Sequence, residues 1–128
     1  MKTADVGRLG EKVAAKHLKK QGYRILAKNV KLSYNELDII ALVDRDIVFV
    51  EVKTRSVDED LYSRYGTPAS AVNKDKRTHL LGGASQYLRM HPKYAERQPR
   101  FDVIEVYLKK DTGRVLQIHH IQNAFGRH

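Results

Sequence analysis

Apolar positions recur along this chain at two different periods. Leu9, Val13, Ala14, His17 and Leu18 share one stripe at helical spacing, and Lys12, Lys16, Lys19 and Lys20 fall largely off it. Asp5, or Thr3 before it, suits the N-cap, Lys19-Lys20 suit the negative end of the helix dipole, and Gly22 suits the residue just past the end. This predicts a helix over roughly 5–21. Tyr23–Lys28 reads as a short strand, and 29–35 as polar turn. Glu36–Val43 and Ile47–Thr54 are rich in β-branched and other apolar residues, and Asp44-Arg45-Asp46 between them leaves room only for a hairpin. Residues 55–71 are polar, hold Tyr62, Tyr65, Gly66 and Pro68, and follow no period. They read as a mobile loop, longer than an ordinary connection and so a functional one. A second helix, capped by Asn73, carries Leu80, Leu81, Ala84, Tyr87 and Leu88 and stops at His91-Pro92. Gly82-Gly83 inside it cost about 1 kcal/mol each relative to Ala, which points to close packing there. Strands over Arg100–Leu108 and Val115–Ile121 flank a turn at Lys110–Gly113, and Ala124-Phe125 reads as a short helical turn. The element order is α-β-β-β-α-β-β, a single α/β domain over 1–128 without repeats or linkers.

Composition narrows the class. The 128 residues are 41% apolar and 30% charged, which is globular composition for one domain. There is no cysteine, so disulfides, thiolate nucleophiles, zinc ribbons and iron–sulfur clusters are excluded, and a reducing cytoplasm is the expected location. The longest apolar stretches, Ile39–Val43 and Ile47–Val50, are too short to span a bilayer, and Met1–Asp5 carries no apolar signal segment. No membrane role is expected.

Charge adds more. The net charge is +9 and the isoelectric point about 9.8, which marks a candidate for polyanionic partners, with plain solubility as the ordinary alternative. Residues 1–22 carry six basic and two acidic side chains, 23–72 seven and eight, 73–100 seven and two, and 101–128 four and three. Two basic blocks therefore flank a centre that holds the acids. A nuclease needs that arrangement: basic surface for phosphates and local carboxylates for metal.

Asp38, Glu51 and Lys53 are the unusual residues, and two of them interrupt strands that otherwise read as buried. A two-residue turn at Asp44-Arg45 pairs residues whose numbers sum to 89, so Ile40 faces Phe49, Asp38 faces Glu51 and Glu36 faces Lys53. Opposed residues have Cβ atoms roughly 4.5–5.5 Å apart. A three-residue loop would slip this register by one. Two opposed carboxylates repel, so a cation binds there, or a proton, or Lys53 offsets part of the repulsion. Oxygen ligands suit Mg²⁺ or Mn²⁺. Lys53 is then placed to orient an attacking water or hold a phosphate oxygen, which is phosphodiester hydrolysis. An ion-pair cluster at a sheet rim is the equal alternative on spacing alone.

Five segments carry a resemblance: Gly7–Ala14 (GRLGEKVA), Asn35–Ala41 (NELDIIA), Val48–Arg55 (VFVEVKTR), Arg100–Ile104 (RFDVI) and His120–Phe125 (HIQNAF). Together they resemble the YraN-like family, itself similar to the PD-(D/E)XK nucleases, which include restriction endonucleases and archaeal Holliday-junction resolvases. The resemblance implies a restriction-endonuclease-like three-layer fold around a central four-stranded mixed sheet. It implies that Asp38 and Glu51 hold the metal, that Lys53 is the catalytic lysine and that Glu11 is a supporting acid. The backbone carbonyl of Val52 is expected as a third metal ligand. Asn35 stands where the family's G-E-[IL]-D motif has glycine, and asparagine's tolerance of positive φ is expected to preserve the turn.

The expected activity is a metal-dependent DNA endonuclease using Mg²⁺ or Mn²⁺ on branched or flapped structures. The alternatives are a non-catalytic nucleic-acid-binding protein and an interaction adaptor on the same fold. Lys12, Lys16, Arg55, Lys74, Lys76 and Arg77 are the expected phosphate contacts, each weighed against a solvated helix or strand face. Glu36 is placed to pair with Lys53 or to bind a metal water. Tyr62 and Tyr65 suit base stacking or, more commonly, loop packing. Asp102 is expected as a buried structural partner for Arg55 or Lys53. His119, His120 and His128 have no zinc-site spacing and receive no role. A homodimer is a further expectation, since related resolvases dimerise.

Overall fold

The computed structural model of the protein describes residues 3–65 and 74–125. The first helix, α1 (Thr3–Lys20), begins two residues before Asp5. Asp5 therefore stands in the first turn, where it pairs with Arg8 at 2.8 Å, and not at the cap. At the other end Gly22 takes φ 90, the Tyr23 N–H bonds the Leu18 carbonyl at 2.9 Å, and the Gly22 N–H bonds the Lys19 carbonyl at 3.1 Å. This is a Schellman ending, with Leu18 and Tyr23 making its apolar contact in the core.

The chain then runs through β1 (Arg24–Lys31), β2 (Glu36–Val43), β3 (Asp46–Val57), α2 (Glu59–Tyr65), α3 (Lys74–Met90), a 3-10 turn at Pro92–Tyr94, β4 (Gln98–Lys109) and β5 (Val115–Phe125). The five strands form one mixed sheet in the order β1-β2-β3-β4-β5. Every neighbouring pair is antiparallel except β3 and β4, which are parallel and therefore need the helical crossover between them.

Strand alternation sorts the core onto two faces. On one, α1 lays Ala14, Ala15 and Leu18 against Ile39, Ala41, Val48, Val50, Ile104 and Val106. On the other, α3 lays Leu80, Ala84 and Tyr87 against Ile40, Leu42, Ile47, Phe49 and Phe101. The result is the expected three-layer, restriction-endonuclease-like α/β fold. Two close approaches lock the layers. A Cβ on Gly10 would lie 1.7 Å from Thr54 Oγ1, so α1 crosses β3 backbone-close at that point. A Cβ on Gly83 would lie 3.1 Å from Leu37 Cδ2, so α3 packs tightly on the β1–β2 turn, as Gly82-Gly83 predicts.

Several expectations change. The sheet has five strands where the resemblance implies four. β1 continues through Lys31, so much of 29–35 is strand, with Asn29 at φ 53. Asn35 does not use positive φ, so that tolerance is not what preserves the turn; the Leu32 N–H to Asn35 carbonyl bond closes it at 2.8 Å. The segment read as a loop from 55 is β3 to Val57 and then α2. β5 runs to Phe125, which stacks on Phe101 with centroids 5.0 Å apart, so no helical turn forms there. Asn73 as a helix cap, Gly66 and Pro68 in the loop, and His128 lie outside the described residues, as does the side chain of Tyr65.

Candidate active site

The β2–β3 hairpin turns on two residues, Asp44 and Arg45, with Asp44 at φ 51. Its ladder pairs Val43 with Asp46, Ile40 with Phe49 and Ile39 with Val50. That is the sum-of-89 register, and its next pair is Asp38 with Glu51. There the ladder gives way to a side chain. Asp38 Oδ2 accepts the Val52 N–H at 2.9 Å, replacing the strand pairing that ends at Ile39. Asp38, Glu51 and Lys53 share the face that carries Ile40 and Phe49, the face covered by α3.

The pair is electrostatically strained. Burial, and then the charge of Glu51, push the Asp38 carboxyl up to about 6, against the opposing effects of the Val52 N–H and Lys76. Glu51 is 8% exposed. Its Oε1 meets Lys76 Nζ of α3 at 3.3 Å, while its Oε2 is buried with no hydrogen-bond partner among the described residues. Glu11 of α1 feels the charge of Asp38. Its carboxyl is raised, first by burial and then by Asp38, while a side-chain hydrogen bond from Asn29 works the other way. Glu36 is exposed and adds negative potential at both Asp38 and Glu11.

Among the described residues no three His, Cys, Asp or Glu side chains converge on one ion position. Two carboxylates with one orphaned buried oxygen fit Mg²⁺, which is commonly held by one or two carboxylates and keeps several waters. Val52 enters the site through its N–H, already bonded to Asp38.

The comparisons with known proteins bear on this chain as a whole. Residues 10–106 match Uncharacterised protein family UPF0102. The chain belongs to this family, the YraN family. A UPF0102 protein of Caldanaerobacter subterraneus subsp. tengcongensis is 43% identical over 120 residues, covering 94% of this chain and 93% of the relative. One from Clostridioides difficile is 41% identical over 125 residues, covering 98% of this chain and all of the relative. A third, from Porphyromonas gingivalis, is 45% identical over 122 residues, covering 94% and 84%. The family is uncharacterised, and these relatives' names assign no activity.

The other candidates of this UPF0102 chain are scattered more widely. Lys53 is half-buried and stands in register with Glu105 of β4, a 3% exposed acid whose Oε1 lies 3.0 Å from His119 Nδ1. Lys12, Lys16, Lys74 and Arg77 are exposed and Arg55 is half-buried. Lys76, expected at phosphate, is half-exposed and pairs with Glu51. Tyr62 packs beside Tyr107 and bonds Gln117, the loop-packing alternative and not a stacking platform.

Asp102 is a structural acid, as expected, but its partners are not Arg55 or Lys53. It bonds Arg100 Nε at 3.0 Å, His120 Nε2 at 2.8 Å and the Asn123 N–H at 3.0 Å. Burial alone would raise its carboxyl, but these partners outweigh burial and lower it. His17 of α1 reaches His120 Nδ1 at 3.2 Å, so this network joins α1, β4 and β5 on the face away from Glu51. His119 and His120, given no role from the sequence, thus anchor buried acids. The neighbour of Glu11 that the sequence reading does not single out is Asn29, a non-glycine residue at positive φ, a conformation asparagine favours.

Among the described residues no helix is long and apolar enough to cross a membrane.

Proposed function

We propose that this protein is a metal-dependent nuclease that hydrolyses phosphodiester bonds in DNA, with branched or flapped structures as its preferred class. The observation that carries this reading is the Asp38/Glu51 pair. A buried carboxyl pushed up to about 6 faces a second carboxylate with an orphaned oxygen, and a divalent cation relieves both. Asp38 and Glu51, with the backbone carbonyl of Val52, are the groups that would hold Mg²⁺ or Mn²⁺. When bound, the ion supplies charge stabilisation at a phosphoryl oxygen. Lys53, two residues along the same face, orients water or holds a phosphate oxygen. Glu11 supports the site from α1, restrained by Asn29. Lys12, Lys16, Arg55, Lys74, Lys76 and Arg77 provide phosphate contacts, which position a duplex without reading its sequence.

One observation favours the second reading, a nucleic-acid-binding protein without turnover: Lys76 already neutralises part of Glu51. A cleavage assay decides between them. With Mg²⁺ or Mn²⁺, end-labelled branched, flapped, single-stranded and duplex DNA should be cut by the wild-type protein and not by Asp38→Asn. Binding of all four DNAs with cleavage of none, at any concentration of either metal, would leave the non-catalytic reading standing.

A further inference from the structure

The Lys76–Glu51 contact has a chemistry that the nuclease reading does not use. Lys76 is the third residue of α3, in the first turn, where a cation opposes the helix dipole. Its own helix therefore does not favour the charge. The ammonium nonetheless lies 3.3 Å from Glu51 Oε1, on a side chain still 42% exposed, and its field also reaches Asp38. The other Glu51 oxygen is buried and without a hydrogen-bond partner among the described residues. One cation thus sits at the mouth of a carboxylate pair whose repulsion calls for a divalent one.

We propose that Lys76 is an exchangeable counter-ion of the Asp38/Glu51 pair, which holds Glu51 when no metal is bound and moves to a phosphate oxygen of the nucleic acid when a divalent ion enters. This rests on the metal-site reading above and gives Lys76 a defined place in it as a positioning residue. The exchange is a competition between two cations for the same oxygens. It requires a flexible stem with a half-exposed head, which lysine has and arginine's rigid fork has less of. It also couples the two ligands: a metal that displaces Lys76 makes a cation available for phosphate, and phosphate that draws Lys76 away uncovers Glu51 for metal.

The test measures metal affinity directly, without cleavage. Mn²⁺ is titrated into the metal-free protein at pH 8 and the free ion followed by electron paramagnetic resonance, with and without inorganic phosphate. Lys76→Met should bind Mn²⁺ roughly three- to fivefold more tightly than wild type, the scale on which a half-exposed ion pair competes. Lys76→Arg, which keeps a cation on Glu51 and releases it less readily, should bind Mn²⁺ no more tightly than wild type. Arg77→Met, which removes one charge from the adjacent position, should change affinity less than Lys76→Met. Phosphate should tighten Mn²⁺ binding more in the wild type than in Lys76→Met. Unchanged or weaker Mn²⁺ binding in Lys76→Met, or an equal gain in Arg77→Met, would overturn the exchange while leaving the metal site intact, provided wild-type binding is lost in Asp38→Asn. Absence of Mn²⁺ binding in both the wild type and Lys76→Met would overturn the exchange and the metal-site reading together. Circular dichroism of each variant confirms that the fold is kept, as expected for a half-exposed position.

Discussion

Asp38 accepts the Val52 N–H and faces Glu51 where the hairpin ladder ends, and its carboxyl is raised from 3.8 to about 6. A carboxyl whose folded-state value lies above its unfolded one contributes stability at low pH that is lost as pH rises through the folded value. The loss falls between about pH 4 and 6 and amounts to roughly 2–3 kcal/mol in the metal-free protein. Asp38→Asn keeps an oxygen for the Val52 N–H and removes the charge. In chelator, its unfolding midpoint should exceed wild type by several degrees at pH 8, and the gain should vanish near pH 4. Equal midpoints at pH 8 would contradict a strained pair. At this scale much was legible in the sequence. Two acids at matched positions of a hairpin with a two-residue turn must face one another, and they do. The Lys76–Glu51 contact was not legible, because it depends on where α3 settles on the sheet. The partners of Asp102 are only partly legible for a related reason. Arg100 shares its strand face two residues away and could have been chosen from spacing, but His120 and Asn123 arrive only through the β4–β5 pairing.

Among the helices, α1 carries Glu11 within the field of Asp38, and its placement depends on a glycine. Gly7 and Gly10 lie three residues apart on this helix. A Cβ at Gly7 meets nothing within 4 Å, whereas one at Gly10 would overlap the Thr54 side chain. Gly7→Ala should therefore stabilise the protein by about 0.5–1 kcal/mol through helix propensity. Gly10→Ala should destabilise it by about 1–3 kcal/mol, because α1 must lift from β3 and carry Glu11 with it. Denaturant melts of the two variants check the opposite signs; equal effects would mean that α1 does not approach β3 this closely. The long elements were readable because their periods are strong. The run of apolar residues in Glu36–Val43 yields the same bounds in sequence and structure. α2 escaped because seven residues are too few to establish a period, although its start is signalled: the Asp58 carboxylate accepts the Asp60 and Leu61 N–H groups at 2.9 and 3.2 Å. The end of β5 escaped because Phe125 is held by Phe101 across the sheet, a contact that no local pattern announces.

On the scale of the whole molecule, the five family-like segments resolve into two assemblies. Gly7–Ala14, Asn35–Ala41 and Val48–Arg55 meet around the Asp38/Glu51 pair, while Arg100–Ile104 and His120–Phe125 meet around Asp102 and the Phe101–Phe125 stack. The first is the candidate site and the second ties β4, β5 and α1 together. The affinity for nucleic acid that the proposed function requires would, by contrast, be spread across the basic blocks, and Lys53 is one of 24 basic residues. Removing it should cost at most about one phosphate contact of binding. Its role in the proposed reaction is concentrated in the transition state, where charge develops at the phosphate. The most direct measurement is therefore a pair of numbers on Lys53→Ala: the Kd for flapped or branched DNA, and the single-turnover cleavage rate with that DNA saturating and Mg²⁺ present. The account predicts a Kd close to wild type and a cleavage rate lowered by at least two orders of magnitude, in line with the loss of one group that stabilises charge in the transition state. A Kd that collapses while cleavage at saturation is unchanged would make Lys53 a plain phosphate clamp and contradict the assignment of this face as catalytic.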